Sequence, residues 1–332
     1  MQPRLTAVVP ALAASAALLL PTGVSAAVTI DWVTIGNPGN ANDTSGFGAV
    51  ADTYRISAYE VTIGQYTEFL NAKAQTDTHN LYNPNMGSNA NIAGISRSGS
   101  PGGYTYSVIG TSNRPVTYVS WFDAARFSNW MHNGQGTGDT ESGAYALNGA
   151  TTGVSFSASA SASYRLPTEN EWYKAAYYDP TLNAGAGGYW LYPTQSNSLS
   201  GNTQGAGTGR ANYNDGDYAV TQSGSYSASQ NYLTGVGAYS DSGSYYGTFD
   251  QGGNVWEWND AVSSSSRGLR GGSWGSNVFF GLQSSDRLNL SPAYEDDKLG
   301  FRLATSVPEP SSVLMVGLAG LALVTRRRRS TL

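Results

Sequence analysis

Two carboxylates that flank a glycine-rich segment near the C-terminal end have the clearest potential for chemistry. Asp250 and Glu257 enclose Gly253 and Val255, and carbonyl groups two residues apart in an extended backbone point to the same side. Such hard oxygen ligands suit calcium, which takes about six to eight of them. The spacing therefore predicts a cation site. The alternative is that Glu257 only accepts hydrogen bonds in a turn.

Few residues in this chain could carry out thiol or imidazole chemistry. The 332 residues include no cysteine and two histidines, His79 and His132, whose spacing matches no known metal motif. A non-haem iron triad would need both histidines together with a carboxylate, and a serine nucleophile would need one of them as its base. The sequence by itself offers no catalytic constellation.

The elements that would position these residues begin with three capped helices. Thr62, Ser120 and Thr168 each precede an apolar-periodic segment and have a carboxylate or amide side chain three residues later, which predicts helices over about 63–71, 121–132 and 169–177. Alternation of apolar and polar residues predicts a first strand at 28–33. Polar, glycine-rich stretches at 83–113, 133–163 and 194–247 predict long loops.

Within the second of these loops, residues 155–163 alternate serine with small apolar residues and one phenylalanine. Such alternation is compatible with an edge strand, but the small side chains also suit a plain spacer. Both interpretations stay open at this point.

Six motifs occur in a fixed order along the body of the chain, and together they resemble the formylglycine-generating enzyme family, also called the sulfatase-modifying factor family. The motifs are Tyr-Glu-Val-Thr at 59–62, Pro-Val-Thr-Tyr-Val-Ser-Trp at 115–121, Tyr-Arg-Leu-Pro-Thr-Glu-Asn-Glu-Trp at 164–172, Gly-Asn-Val-Trp-Glu-Trp at 253–258, Arg-Gly-Gly-Ser-Trp at 270–274 and Gly-Phe-Arg at 300–302. The resemblance implies an irregular, C-type-lectin-like α+β fold with few capped helices, a small antiparallel sheet and long ordered loops.

The resemblance also implies the ligands of two calcium ions. The first would be bound by the side chains of Asp250 and Glu257 and the main-chain oxygens of Gly253 and Val255. The second would use Asn212 and the carbonyl of Tyr213, with further ligands left open among Asp215, Asp217 and Asp241.

The oxidases of this family use a copper-binding cysteine pair to convert a sulfatase cysteine to formylglycine, and that pair has no counterpart here. The corresponding positions fall on Ser276 and, without a gap, Gly281. Copper(I) requires soft thiolate ligands, so copper is not expected and oxidase activity is doubted. We expect most of the motif tryptophans and arginines to pack the core and tie loops to it.

The two ends of the chain carry the features of export. Residues 1–26 have one arginine, an apolar run and small residues before the predicted cleavage point, as in a signal peptide. Residues 307–332 contain Pro-Glu-Pro, an apolar stretch at 313–324 and four arginines, which resembles the PEP-CTERM sorting signal of Gram-negative bacteria. The resemblance implies an exosortase-type processing protease and a transient membrane association, because twelve apolar residues form a transmembrane helix only about 18 Å long.

Charge and composition limit the function of the remaining domain, residues 27–306. Without both ends the chain has 13 basic and 22 acidic residues, which makes nucleic acid an unsuitable partner. We therefore expect an exported, calcium-binding module at the cell surface or in the extracellular matrix, with exopolysaccharide or another glycan as its partner. The alternative is an enzyme of the same family, or a related non-haem metal oxidase, that uses residues other than cysteine.

Overall fold

The structure, a computed structural model, describes residues 27–277 and 280–307. The predicted signal peptide and nearly all of the sorting tail lie outside the described residues. Within the described ranges no helix combines the length and apolar character needed to cross a bilayer. The helices there are α1 (Ile63–Lys73), α2 (Asn85–Ser88), α3 (Trp121–His132), α4 (Glu169–Tyr177) and α5 (Leu182–Gly185).

The strands are short and form small sheets. They are β1 (Trp32–Ile35), β2 (Tyr54–Ser57), β3 (Ile95–Ser98), β4 (Thr105–Val108), β5 (Tyr178–Asp179), β6 (Gly188–Tyr189), β7 (Trp256–Ser263), β8 (Ser266–Arg270), β9 (Leu288–Leu290), β10 (Leu299–Phe301) and β11 (Ala304–Ser306). One sheet has the order β1-β2-β11 and another the order β10-β7-β8-β9, while β3-β4 and β5-β6 form separate pairs. The predicted class, α+β with few helices, small sheets and long ordered loops, is confirmed.

The pairing is antiparallel throughout the described strands except between β10 and β7, which run parallel. The first strand begins at Trp32 and not at Val28, so the predicted bounds 28–33 were wrong. The amide and carbonyl of Val28 are bound instead by the side chain of Gln135, at 2.7 and 2.8 Å. A side-chain partner thus replaces the ladder that the alternation suggested.

The three predicted helix starts are confirmed, and each has a complete capping box. Thr62, Ser120 and Thr168 accept the backbone N–H of the third helical residue, and the side chain of that residue accepts the cap's own N–H. The aromatic rings of α1 and α3 meet over β10, with Phe127 5.4 Å from Phe69 and 5.5 Å from Phe301 between ring centroids. This aromatic contact is the centre of the main core.

The cap of α3 makes stability depend on pH. Burial raises the pKa of Asp123 to about 7, although its carboxylate accepts the N–H and hydroxyl of Ser120 at 2.8 and 2.6 Å. The folded state therefore holds this proton more tightly than the unfolded chain, and the stability it contributes is lost as pH rises from about 4 to about 7.

We expect Asp123→Asn to remove this part of the pH dependence, because an amide does not titrate. The measurement is the free energy of unfolding by denaturant for the variant and the natural chain at pH 4.5, 6 and 7.5. Asp139→Asn is the control, since the Ser142 hydroxyl lowers the pKa of that exposed carboxylate and predicts the opposite slope. Parallel pH curves for Asp123→Asn and the natural chain would contradict the prediction.

Candidate functional site

Glu257, the most buried of the predicted calcium ligands, is already paired with a guanidinium. Arg302 donates from Nε to Oε2 at 2.5 Å and from Nη2 to Oε1 at 2.7 Å, and neither side chain is exposed. Trp172 adds a third hydrogen bond from its indole N–H to Oε2 at 2.7 Å. Both carboxylate oxygens are therefore engaged by protein donors, as the hydrogen-bonding alternative for Glu257 expected.

Arg302 also connects three segments that are remote in sequence. Its Nη1 group donates to the carbonyls of Ser57 and Ala58, at 3.0 and 3.2 Å, and Nη2 donates to Phe249 at 2.8 Å. A guanidinium has five N–H donors in a fixed plane, and here they reach the end of β2, the segment before Asp250 and strand β7. The arginine of the Gly-Phe-Arg motif is thus a structural tie, as expected.

Two further carboxylates lie close to this ion pair and have few partners. Glu60 is 2% exposed; its Oε1 accepts from Asn254 at 3.2 Å, and its Oε2 has no hydrogen-bond partner among the described residues. Asp250 accepts the N–H of Gly237 at 2.6 Å. Burial raises the pKa of Asp250 to about 6 and that of Glu60 well above its usual range, and each is raised further by neighbouring carboxylates.

The carboxylates of this cluster outnumber its cations. Glu60, Asp250 and Glu257 share one guanidinium, Arg302, so full ionisation leaves two negative charges uncompensated in a largely buried place. Buried charges are stable when they are paired or when they bind a metal. The unpartnered oxygen of Glu60 and the carboxylate of Asp250 accept no hydrogen bond from Arg302 within the described structure, whereas the carboxylate of Glu257 is already used. Glu60 could not be identified as a candidate ligand from the sequence, because its motif precedes α1 and indicates only the start of that helix.

The backbone around Gly253 brings the two predicted calcium segments into contact. Gly253 and Asn212 form an isolated parallel bridge, and a side chain at Gly253 would begin 2.1 Å from the carbonyl oxygen of Asn212. Only glycine fits there, and its φ of +84° is also readily accessible to glycine. The Asn212 amide donates to Tyr232 O at 3.0 Å and to Asn254 Oδ1 at 2.9 Å.

The carbonyl of Tyr213 is connected to one of the three open aspartates. Asn202 donates to the carbonyl of Tyr213 at 3.1 Å and to the carboxylate of Asp217 at 2.7 Å. Asp215 is exposed, and Asp241 accepts the N–H of Gly207 at 3.1 Å. Among the described residues no three carboxylate or histidine side chains are close enough to bind one metal together, so calcium at either predicted site would depend on main-chain oxygens.

The hydroxyl group of Ser276 lies beside Gly281. Ser276 is 8% exposed, and its hydroxyl oxygen accepts the N–H of Ser273 at 3.0 Å. A side chain at Gly281 would begin 3.2 Å from the Ser276 hydroxyl and 2.8 Å from Trp256 Cζ2. The φ of Gly281 is +104°. Packing and backbone conformation both favour glycine at this position.

Comparison with known proteins identifies the domain. Residues 37–307 match the model of the sulfatase-modifying factor enzyme 1-like domain. The chain belongs to the sulfatase-modifying factor family. Residues 306–329 match the PEP-CTERM protein-sorting motif, which indicates export, exosortase-dependent processing and sorting to the cell envelope or surface. Both resemblances proposed from the motifs are confirmed.

Several solved structures have a similar fold but a low sequence identity to this chain. CarF is 20% identical with a TM-score of 0.49, over 84% of this chain and 99% of CarF. Treponema denticola variable protein 1 is 22% identical with a TM-score of 0.45, over 84% and 95% of the two chains. PvdO from Pseudomonas aeruginosa is 19% identical with a TM-score of 0.43, over 84% and 92%.

The positions onto which the resemblance placed the cysteine pair, counted from the Arg-Gly-Gly-Ser-Trp motif, are adjacent in space but have no thiol. They are Ser276 and Gly281, and the whole chain contains no cysteine. Beside them, the Trp274 ring stacks on Tyr232 at 4.9 Å and 10°, and Tyr232 stacks on Tyr226 at 5.8 Å and 15°. Trp274 is 4% exposed, so this motif tryptophan belongs to the core of a sulfatase-modifying factor domain.

Proposed function

We propose that this exported sulfatase-modifying factor protein works without oxidase chemistry, as a binding or structural module at the surface of a Gram-negative cell or in its matrix. The observation that carries the proposal is the replacement of both cysteine positions by Ser276 and Gly281. A hydroxyl and a hydrogen atom cannot supply the thiolates that bind copper(I). Copper is therefore not part of the proposal.

The packing around Gly281 supports the loss of that chemistry. A cysteine at 281 would begin 2.8 Å from Trp256 and 3.0 Å from Gly272 Cα, distances at which the surrounding structure must shift. Its backbone would also keep φ near +104°, which disfavours any side chain. The surroundings and the backbone conformation of position 281 thus both favour glycine.

The test is a direct assay for formylglycine formation. The purified protein, loaded with copper and supplied with oxygen, is incubated with a cysteine-containing sulfatase peptide while oxygen consumption and peptide mass are followed. We expect no oxygen uptake above background and no change in peptide mass. A family oxidase with both cysteines is the positive control, and conversion of the peptide by this chain would establish the enzyme alternative instead.

Residues that an enzyme could use instead of cysteine, Trp274 and Arg287 near Ser276 and the two histidines, are engaged in structural contacts. Arg287 donates to both oxygens of Glu169, at 2.9 and 2.8 Å, and Trp274 is stacked in the core. His79 lies 3.2 Å from Glu141, and His132 accepts the N–H of Ser163 at 3.0 Å. These contacts support a structural role for each residue and favour the binding module.

Calcium is the second element of the proposal, as a structural ion beside Asp250 and Glu60. The uncompensated carboxylates there support it, together with the main-chain oxygens of Gly253 and Val255. A chain with no cysteine has no disulfide to constrain its long loops, so an ion that joins the segments around Glu60 and Asp250 would take over that role. The second ion, at Asn212 and Tyr213, would act on the loop that contains Asp217.

Glycan is the partner that we propose for the module, with transient membrane association through the sorting tail before processing. The loops are rich in tyrosine, serine, asparagine and glycine, a composition that supplies rigid aromatic contacts and adaptable hydrogen bonds. A glycan array probed with and without calcium tests this partner. A purely structural module would bind none of the glycans.

A further inference from the structure

A cavity of about 370 Å³ opens between the first sheet and residues 160–164, and Ser276 is not part of its lining. Its lining consists of Trp32 of β1, Arg55 of β2, residues 160–164, and Thr305 and Ser306 of β11. The strands hold these groups in fixed register, because Arg55 lies opposite both Thr34 and Thr305. The volume is within the about 300–1,000 Å³ typical of small-molecule sites. We call it the Trp32–Tyr164 pocket.

Two half-buried aromatic rings form the apolar part of the Trp32–Tyr164 pocket. The ring centroids of Trp32 and Tyr164 are 5.8 Å apart and their planes are tilted by 43°. The two rings therefore contact each other and form one continuous apolar surface in the pocket wall. Ser161, Ser163 and Ser306 also line the pocket, so it combines apolar and hydroxyl-bearing side chains, as recognition of a sugar ring requires.

Arg55 adds a positive charge that has no counter-ion in the described structure. Its guanidinium carbon lies 5.6 Å from the Trp32 ring centroid, and no hydrogen bond or ion pair joins it to another described residue. The other arginines near this surface are engaged: Arg165 donates twice to Glu171 at 2.6 Å, and Arg267 donates to backbone carbonyls. Arg55 can thus form a two-point contact with a carboxylate.

A second cavity of about 410 Å³ continues from the first. The two share Ala160 and Ser306, and the second extends along residues 156–160 towards Thr168. Residues 155–163 form no strand within the described structure, so the edge-strand interpretation is wrong, and Arg267 binds the carbonyls of Val154 and Phe156 instead. The small side chains of this segment leave an open groove, which suits a polymer better than a single sugar.

We infer that this groove binds an acidic polysaccharide, with a uronic acid unit stacked against Trp32 and Tyr164 and its carboxylate on Arg55. The inference rests on the proposed glycan-binding function and names its site and ligand class. Recognition by Arg55 needs no metal, so binding persists in chelator. Binding in the presence of chelator distinguishes recognition by Arg55 from calcium bridges between an acidic protein and an acidic polymer.

The experiment measures binding of an oligogalacturonate and of a neutral galacto-oligosaccharide of equal length by calorimetry in EDTA. The oligogalacturonate is expected to bind and the neutral sugar to bind much more weakly. Arg55→Gln should weaken oligogalacturonate binding by about tenfold or more, since a charge-assisted contact is worth about 1.5–3 kcal/mol. Trp32→Ala should weaken it by a similar factor, because the sugar loses its aromatic contact. Arg55→Lys should recover only part, because an ammonium lacks the planar fork.

Tyr245→Ala is the matched control, because Tyr245 is a 41% exposed aromatic residue outside both cavities. Its affinity should equal that of the natural chain, and thermal melts of all variants verify folding. If Trp32→Ala fails to fold, Trp32→Phe and Arg55→Gln decide the test. Unchanged binding by the folded pocket variants, or equal binding of both sugars, overturns the site while glycan binding itself stands. Absence of binding to any glycan overturns both.

Discussion

Replacing Arg302 with methionine is expected to lower the free energy of unfolding by about 3–5 kcal/mol, one of the largest single-residue effects in this domain. The variant leaves the Glu257 carboxylate fully buried with Trp172 as its remaining donor among the contacts described. Removing one partner of a buried ion pair costs this much because the other charge stays uncompensated. Denaturant unfolding followed by tryptophan fluorescence measures the loss.

Arg287→Met provides the matched comparison for the Arg302 prediction. Arg287 also contacts a carboxylate, Glu169, but its side chain is 31% exposed, and partly exposed pairs contribute about 0–1 kcal/mol. The double variant Arg302→Met, Glu257→Gln should be more stable than Arg302→Met alone, since the stranded charge is gone. Equal decreases in the free energy of unfolding for Arg302→Met and Arg287→Met would show that burial does not increase the contribution of the ion pair to stability.

Calcium is expected to raise the melting temperature of the purified domain by roughly 5–10 °C at about one hundred times its dissociation constant. Binding to the native state alone at that concentration contributes about 2.7 kcal/mol, and each kcal/mol shifts a domain of this size by about 2–4 °C. Differential scanning fluorimetry with calcium and with EGTA is the measurement. Overlapping melts under the two conditions would remove calcium from the proposed function.

Asp250→Asn separates the cation from the surrounding packing. The amide is expected to abolish the calcium response and to raise the metal-free melting temperature, because it relieves repulsion among Asp250, Glu60 and Glu257. Glu60→Gln should act in the same direction. Asp52→Asn, at an exposed carboxylate, is the control that should leave both quantities unchanged.

The features that could be predicted from the sequence are those with local causes. Each capping box is contained in four consecutive residues, so the starts of α1, α3 and α4 followed from Thr62, Ser120 and Thr168. The family motifs also allowed the fold class to be predicted. The parallel pairing of β10 with β7 has no local signal and was not predicted.

The surroundings of the candidate cation site could not be predicted, because they depend on contacts between remote segments. Glu60 meets Asn254 across 194 residues, and Arg302 meets Ser57 across 245 residues. Nothing beside Glu60 in the chain marks it as a neighbour of Asp250. Likewise, the pocket that includes Arg55 arises only when β1, β2 and residues 160–164 are assembled.

The position of the last strand limits when this protein can fold. β11 ends at Ser306, where the match to the sorting motif begins, yet it pairs with β2, which also holds β1 from the other end of the domain. Arg302, which joins Glu257 to the end of β2, lies just ahead of it. A chain threaded out N-terminus first therefore delivers its closing elements last. For a chain exported in that direction, the native state can form only after translocation of the whole domain.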